Sequence, residues 1–294
     1  MRIKQIFLLV LLVALLLTAC NDSLSDTESP GTPSPTPTPS PPGATGAYSL
    51  LAWNDLGMHC VDGKDYSIFS ILPPYNNLHA QLVDKNGGLV SDGVSLTYEA
   101  IADATGSINT TSVQKTNFWS YVDRLFGVSL KEDIGLTGNP TSSLTPASMS
   151  WNGDLGVWSA EGIPITPVDD NGNKNFYPMV RVVARDAQGA ALASADTVLP
   201  VSDEMTCAAC HSSVASGNAA QTAAHPPKTG WVFASDPEKD WKENILALHD
   251  DKHLGQAPFQ KSLGQAGYGS SGLLIRTYAR KTIGMLGCLS WCLM

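Results

Sequence analysis

Apolar and polar positions keep three different rhythms along the chain. An unbroken apolar run of twelve, Ile6 to Leu17, follows Arg2 and Lys4. Twelve is short for a membrane span, which needs about 20 residues, and right for the hydrophobic stretch of an export signal. Thr-Pro and Ser-Pro repeats between Pro30 and Pro42 then offer nothing to bury. Such a stretch favours an extended polyproline II tether at about 3.1 Å per residue.

From Tyr48 to Val201 the rhythm is that of strands. His79–Val83 and Ser95–Glu99, joined by the turn residues Asp84–Gly88, read as paired strands. A clearer hairpin runs from Met179 to Ala184, turns at Asp186–Gly189 and returns over Ala193–Leu199. Phe118, Tyr121, Val122 and Leu125 have helical spacing, which predicts a short helix over 117–126. Turn signals every ten or so residues point to a β-sandwich. No internal repeat is visible.

After Ser202 the pattern becomes helix and loop. Ser202 or Asp203 is placed to cap a short helix that the Ala-rich stretch 213–224 continues and His225-Pro226-Pro227 stops. Ser235-Asp236-Pro237-Glu238 has capping-box spacing with Pro in the first turn. The helix it opens should run to about Leu254 and close at Gly255. The expected fold class is α+β: a β-rich, sandwich-like domain over 48–201, then a small, mostly helical segment over 202–272.

Charge narrows the partners. The formal net charge is −9 at pH 7, which argues against nucleic acid, since phosphate recognition needs a basic surface. It permits steering toward a basic redox protein without naming one. Leu17-Thr18-Ala19-Cys20 resembles the bacterial lipobox. That resemblance implies a signal over 1–19, cleavage before Cys20, lipid chains on Cys20, and a tether over 20–47. It places the chain in a bacterial cell envelope, lipid-anchored on the periplasmic or outer-surface side. The alternative is a signal cut elsewhere with Cys20 incidental.

The most specific chemistry is Cys207-Ala208-Ala209-Cys210-His211. Cys-X-X-Cys-His in an exported chain reads as a covalent haem c site: two thiols on one turn each add to a vinyl group, and the His approaches the iron. The two Cys alone would also suit a zinc site or a redox dithiol. For the other axial position, Met285 and Met294 lie in the chain's tail, and Met205 lies too close to the thioethers. Trp241, Ile245, His249 and His253 recur every four residues and share one helix face, so His253 and His249 are the candidate distal ligands. His225, between Ala224 and Pro226, is a third. The competing account is a solvated helix end, given Asp250, Asp251 and Lys252 alongside. An empty sixth position would turn the function toward small-ligand binding or catalysis.

A second concentrated stretch, Trp53-Asn54-Asp55-Leu56-Gly57-Met58-His59-Cys60, offers soft ligands suited to copper or a haem iron. The simpler account, a strand end and turn with Cys60 as a small buried hydrophobe, takes precedence. Asn109-Thr110-Thr111 fits a glycosylation acceptor, discounted in a bacterial lipoprotein.

The stretch 53–60 followed by Phe69-Ser70-Ile71-Leu72-Pro73-Pro74-Tyr75-Asn76, the Cys207–His211 motif and Leu248–His253 together resemble a group of predicted bacterial cytochrome c lipoproteins. The resemblance covers roughly residues 48–270. It assigns haem roles to Cys207, Cys210 and His211, and points less firmly to His249 and His253. Such proteins usually carry further Cys-X-X-Cys-His motifs downstream. Here the tail, 273–294, departs: it has no acidic residue, carries Arg276, Arg280 and Lys281, and spaces Cys288 and Cys292 with no His following. The expectation is a reading frame lost near 270–272, with downstream haem sites missing; an amphipathic tail is the rival.

The sequence therefore reads as a membrane-anchored electron carrier. No catalytic triad or carboxylate pair stands out, so it is not read as an enzyme. The alternatives are a haem enzyme or gas sensor with an open sixth site, or a β-rich metal- or partner-binding module with an accessory haem.

Overall fold

The computed structural model describes residues 46–203, 207–213 and 225–265. The export signal, Cys20, the Pro-rich tether, Met205, the stretch 214–224 and the tail with Cys288 and Cys292 lie outside the described residues.

Ten strands carry the β-rich part: β1 (Tyr48–Trp53), β2 (His59–Cys60), β3 (Tyr75–Asp84), β4 (Val94–Ile101), β5 (Ala147–Ser148), β6 (Ser150–Asn152), β7 (Val157–Pro164), β8 (Met179–Asp186), β9 (Ala191–Val198) and β10 (Val201–Ser202). They form two four-stranded antiparallel sheets, ordered β1-β3-β7-β6 and β5-β4-β8-β9, and a parallel pair, β10-β2. Alternation explains the layering. Leu78, Ala80 and Leu82 from β3 meet Leu96 and Tyr98 from β4 and Val180, Val182 and Ala184 from β8 in one core. Each fully buried Leu or Val contributes about 1.5–3 kcal/mol, so slipping a strand by one residue would forfeit its whole inward set.

The hairpin β8–β9 forms as its pattern predicts, with Val182 opposite Ala195. The expected pairing of 79–83 with 95–99 does not form. β3 pairs with β1 and β7, while β4 pairs with β5 and β8 in the other sheet. The chain does turn at Asp84, and Val90 N–H bonds back to Leu82 O at 2.9 Å. It then leaves for the second sheet, because the inward faces of β3 and β4 fill the same core from opposite sides.

Four turns share one chemistry. In Asp84, Asp103, Asp169 and Asp186, Oδ1 accepts from the backbone N–H two and four residues on. The residue three on is Gly in each case, Gly87, Gly106, Gly172 and Gly189, with φ of 86°, 85°, 85° and 85°. The motif is a recurring Asp-X-X-Gly device, not a repeat of whole units. A side chain at that φ is disfavoured, which is why Gly stands there.

Among the described residues strand outweighs helix, 31% to 18%, a mixed fold with a β-rich domain. The predicted helix over 117–126 is interrupted: a 3₁₀ turn, Phe118–Ser120, is followed by α1 (Val122–Phe126), with buried Phe118, Val122 and Leu125 sharing a small cluster with Tyr66. Three more helices follow: α2 (Ala208–His211), α3 (Pro237–His253) and α4 (Ala257–Gln265). α3 begins one residue later than a Ser235 cap implies. Asp236 is its cap, accepting from Glu238 N–H at 3.0 Å, and Pro237 takes the first position. Among the described residues no helix is long and apolar enough to cross a membrane.

Candidate functional site

The turn Cys207–His211 follows the last strand, β10, by four residues, and Ala208 packs it onto Ile68 and Phe69 of the β-rich part. Val201 and Ser202 pair in parallel with His59 and Cys60, so the strand leading toward the motif is held by the 53–60 stretch. Ser202 is therefore a strand residue and does not cap α2; Cys207 occupies the cap position. Cys210 N–H and His211 N–H both bond to Cys207 O, at 3.1 and 2.9 Å. The two thiols thus stand on one closed turn.

α2 ends at His211 and does not continue through Ser213. Ser212 is extended, and Ser213 is captured by α3: its N–H and Oγ donate to the two Asp240 carboxylate oxygens at 2.6 and 2.7 Å. A carboxylate that satisfies both donors competes with the next helical turn. Beneath, Ala208 packs on a cluster of Ile68, Phe69, Trp241, Leu246, Phe259 and Leu263. The helical layer and the 62–72 loop therefore share one small core.

Two buried charged groups of opposite sign, Lys242 and Asp62, lie next to this turn. Lys242 is fully buried, donates to Asp65 O and Phe69 O, and sits 5.0–5.2 Å from the centroids of Trp241, Tyr66 and Phe69. Asp62, also buried, accepts from Ile71 N–H at 2.6 Å and Leu72 N–H at 3.1 Å. Burial pushes the Asp62 carboxyl up and the Lys242 ammonium down, and their mutual attraction opposes both. Neither residue carries a local sequence signal; only the fold joins positions 62 and 242.

Cys207 is exposed as a residue, Cys210 half-buried, and both are free thiols. Packing around its sulfur and the nearby Asp62 raise the Cys207 thiol above its usual value. His211 is held below its ordinary pKa by burial, and its Nδ1 is buried with no hydrogen-bond partner among the described residues. Two thiols on one turn beside a neutral imidazole with unused ring valence fit covalent haem attachment.

His249 and His253 occupy the last turns of α3, on the face that begins with Trp241 and Ile245. Their rings lie against each other at a 39° tilt with centroids 4.5 Å apart, and the Phe259 ring centroid lies 5.4 Å from that of His249. Burial, with His253 and Lys252 nearby, lowers the His249 pKa to about 4. His253 Nδ1 lies 3.1 Å from Gln256 Oε1. Asp250 is buried while Lys252 and Leu254 are exposed, so this end of the helix is solvated on one side and packed on the other. At about 1.5 Å per residue, His249 lies ~13 Å and His253 ~20 Å along the axis from Asp240, where Ser213, just past the 207–211 turn, meets α3.

The donors of the 53–60 stretch do not converge. His59 Nε2 is bonded to Pro73 O at 2.9 Å, Asp55 lies against His79, and Met58 is exposed. Among the described residues, no cluster of three or more His, Cys, Asp or Glu is disposed around a metal position. Asn109 is buried, with its amide donating to Thr166 O and Val168 O.

No protein-family model matches the chain, and no curated protein matches it in sequence.

Proposed function

We propose that this chain is a lipid-anchored c-type cytochrome that carries electrons for a redox partner on the outer side of a bacterial membrane. The observation that carries the reading is the closed turn 207–211, which presents two free thiols and a neutral imidazole. Cys207 and Cys210 would hold a haem c through thioethers, with His211 as the proximal ligand. When bound, the haem supplies one-electron chemistry between ferrous and ferric iron. The protein's own part is to fix the turn on a packed helical segment, through Ser213–Asp240 and Ala208. Both His249 and His253 are half-buried, and His249 is the distal candidate we favour because it lies nearer the attachment turn along the helix. Copper forms no part of the proposal, because Asp55 and His59 are engaged elsewhere. The lipid anchor rests on Leu17–Cys20.

The test is expression with a c-type maturation system, followed by intact mass and a pyridine haemochrome spectrum. Wild-type protein should carry one haem, and Cys207→Ala/Cys210→Ala should carry none covalently. Colourless wild-type protein with the mass of bare polypeptide and acyl groups would sink the reading.

A further inference from the structure

One cross-strand row on the outer face of the first sheet carries an arrangement that electron transfer does not use. Trp53, His79, Ser159 and Ser150 stand opposite one another on β1, β3, β7 and β6. Within that row Ser159 Oγ lies 2.9 Å from His79 Nδ1. Asp55, just past the end of β1, brings its Oδ2 within 3.2 Å of the other ring nitrogen, Nε2. The His79 side chain is 7% exposed and that of Asp55 is 48% exposed, so the imidazole is enclosed while its carboxylate partner stays at the rim.

We propose that Ser159, His79 and Asp55 form a nucleophilic triad for the hydrolysis of short-chain acyl esters. Each contact defines a role. An Asp55 carboxylate accepting from Nε2–H fixes the tautomer and leaves the His79 lone pair on Nδ1, aimed at the Ser159 hydroxyl. Ser159 lines an open hollow of about 430 Å³ whose other walls include Asn152 and Glu161. Asn152 Oδ1 is held by Asp154 N–H and Leu155 N–H, both at 3.2 Å. Its amide N–H₂ is thus one side-chain donor in the hollow that can serve an oxyanion. The hollow is shallow and polar, so it suits a small acyl group and gives a long apolar chain little to bury against.

The step balances without any further reagent than water. Ser159 Oγ bonds to the ester carbonyl carbon as its proton passes to His79 Nδ1. The carbon–oxygen bond to the alcohol then breaks, and the alcohol departs with that proton. Water hydrolyses the acyl-serine by the same route, releasing the acid and restoring Ser159.

The experiment is labelling of the full, folded chain with a fluorophosphonate probe, with peptide mapping, alongside p-nitrophenyl acetate hydrolysis. One adduct is expected, on Ser159. Ser159→Ala should abolish it and lower ester hydrolysis by about 100-fold. Asp55→Asn, at an exposed position, should slow both by about 10-fold or more while melting at the wild-type temperature. If His79→Gln fails to fold, those two variants still decide the matter. Absence of labelling, or equal labelling and hydrolysis in Ser159→Ala, overturns the proposal. Either outcome is independent of whether a haem is attached.

Discussion

At the scale of single residues, burial of charge dominates. Asp62 and Lys242 are both buried; backbone groups satisfy each one's hydrogen bonds, and each favours the other's charged form through space. Asp62→Ala removes the acceptor for two backbone donors and the strongest of the negative charges acting on Lys242. The expected cost is about 3 kcal/mol, read from the urea midpoint. Lys242→Met should cost a comparable amount by stranding Asp62. The double variant Asp62→Ala/Lys242→Met should lose less than the sum of the two single losses, since it removes both buried charges together; strict additivity would show that the two do not interact. Nothing in the sequence foretold this pair, because Lys242 sits in the charged run Glu238–Glu243 and reads as solvated helix. The row of Asp55, His79 and Ser159 was equally hidden. Those side chains meet only through strand register, and β3–β7 pairing spans 80 positions between His79 and Ser159.

At the scale of elements, the Asp-X-X-Gly turns shape the loops and also set an acid limit. Backbone N–H groups of Gly88, Asn86 and Gly87 hold the Asp84 carboxyl below its ordinary pKa. For Asp103 and Asp169 partial burial pushes upward, and the accepted hydrogen bonds outweigh it. A depressed folded-state pKa means that the unfolded chain takes up protons first as pH falls below the ordinary value of 3.8. The stabilisation is therefore complete above about pH 5 and drains away as pH falls through 4 toward the folded-state values. Urea midpoints measured from pH 6 to 2.5 should show that decline. Replacing Asp84, Asp103 and Asp169 together by Asn keeps an acceptor for the N–H groups and removes the titration, so the acid limb should flatten. An unchanged slope would mean that other carboxylates cause it. The turns themselves were legible from Asp and Gly, yet their consequences for pairing were not. A tight turn at Asp84 predicts a hairpin locally, and only the shared core decides that β4 joins the opposite sheet.

At the scale of the molecule, the helical layer is tied to the sheets rather than appended to them. Ile68 and Phe69 of the β-rich part enter the same cluster as Trp241, Leu246 and Phe259, and β2 receives β10 on the way to Cys207. The alternation of 48–201, the hairpin β8–β9 and the four-residue periodicity of α3 were all readable, because each follows from local pattern. The end of α2 at His211 was not, since it depends on Asp240 reaching back to Ser213 across 27 positions. That same capture fixes where the attachment turn meets α3, and so which imidazole on the helix is closer. If the haem reading holds, His249→Ala should open the sixth position. The ferrous protein would then bind carbon monoxide rapidly at neutral pH, and the ferric spectrum would shift toward high spin. His253→Ala should leave both signals near wild type, since its ring is oriented by Gln256 at the far end of the helix. The reverse pattern would assign the position to His253. Rapid carbon monoxide binding by the unaltered protein would show that neither imidazole is bound, and would move the function from electron transfer toward ligand binding.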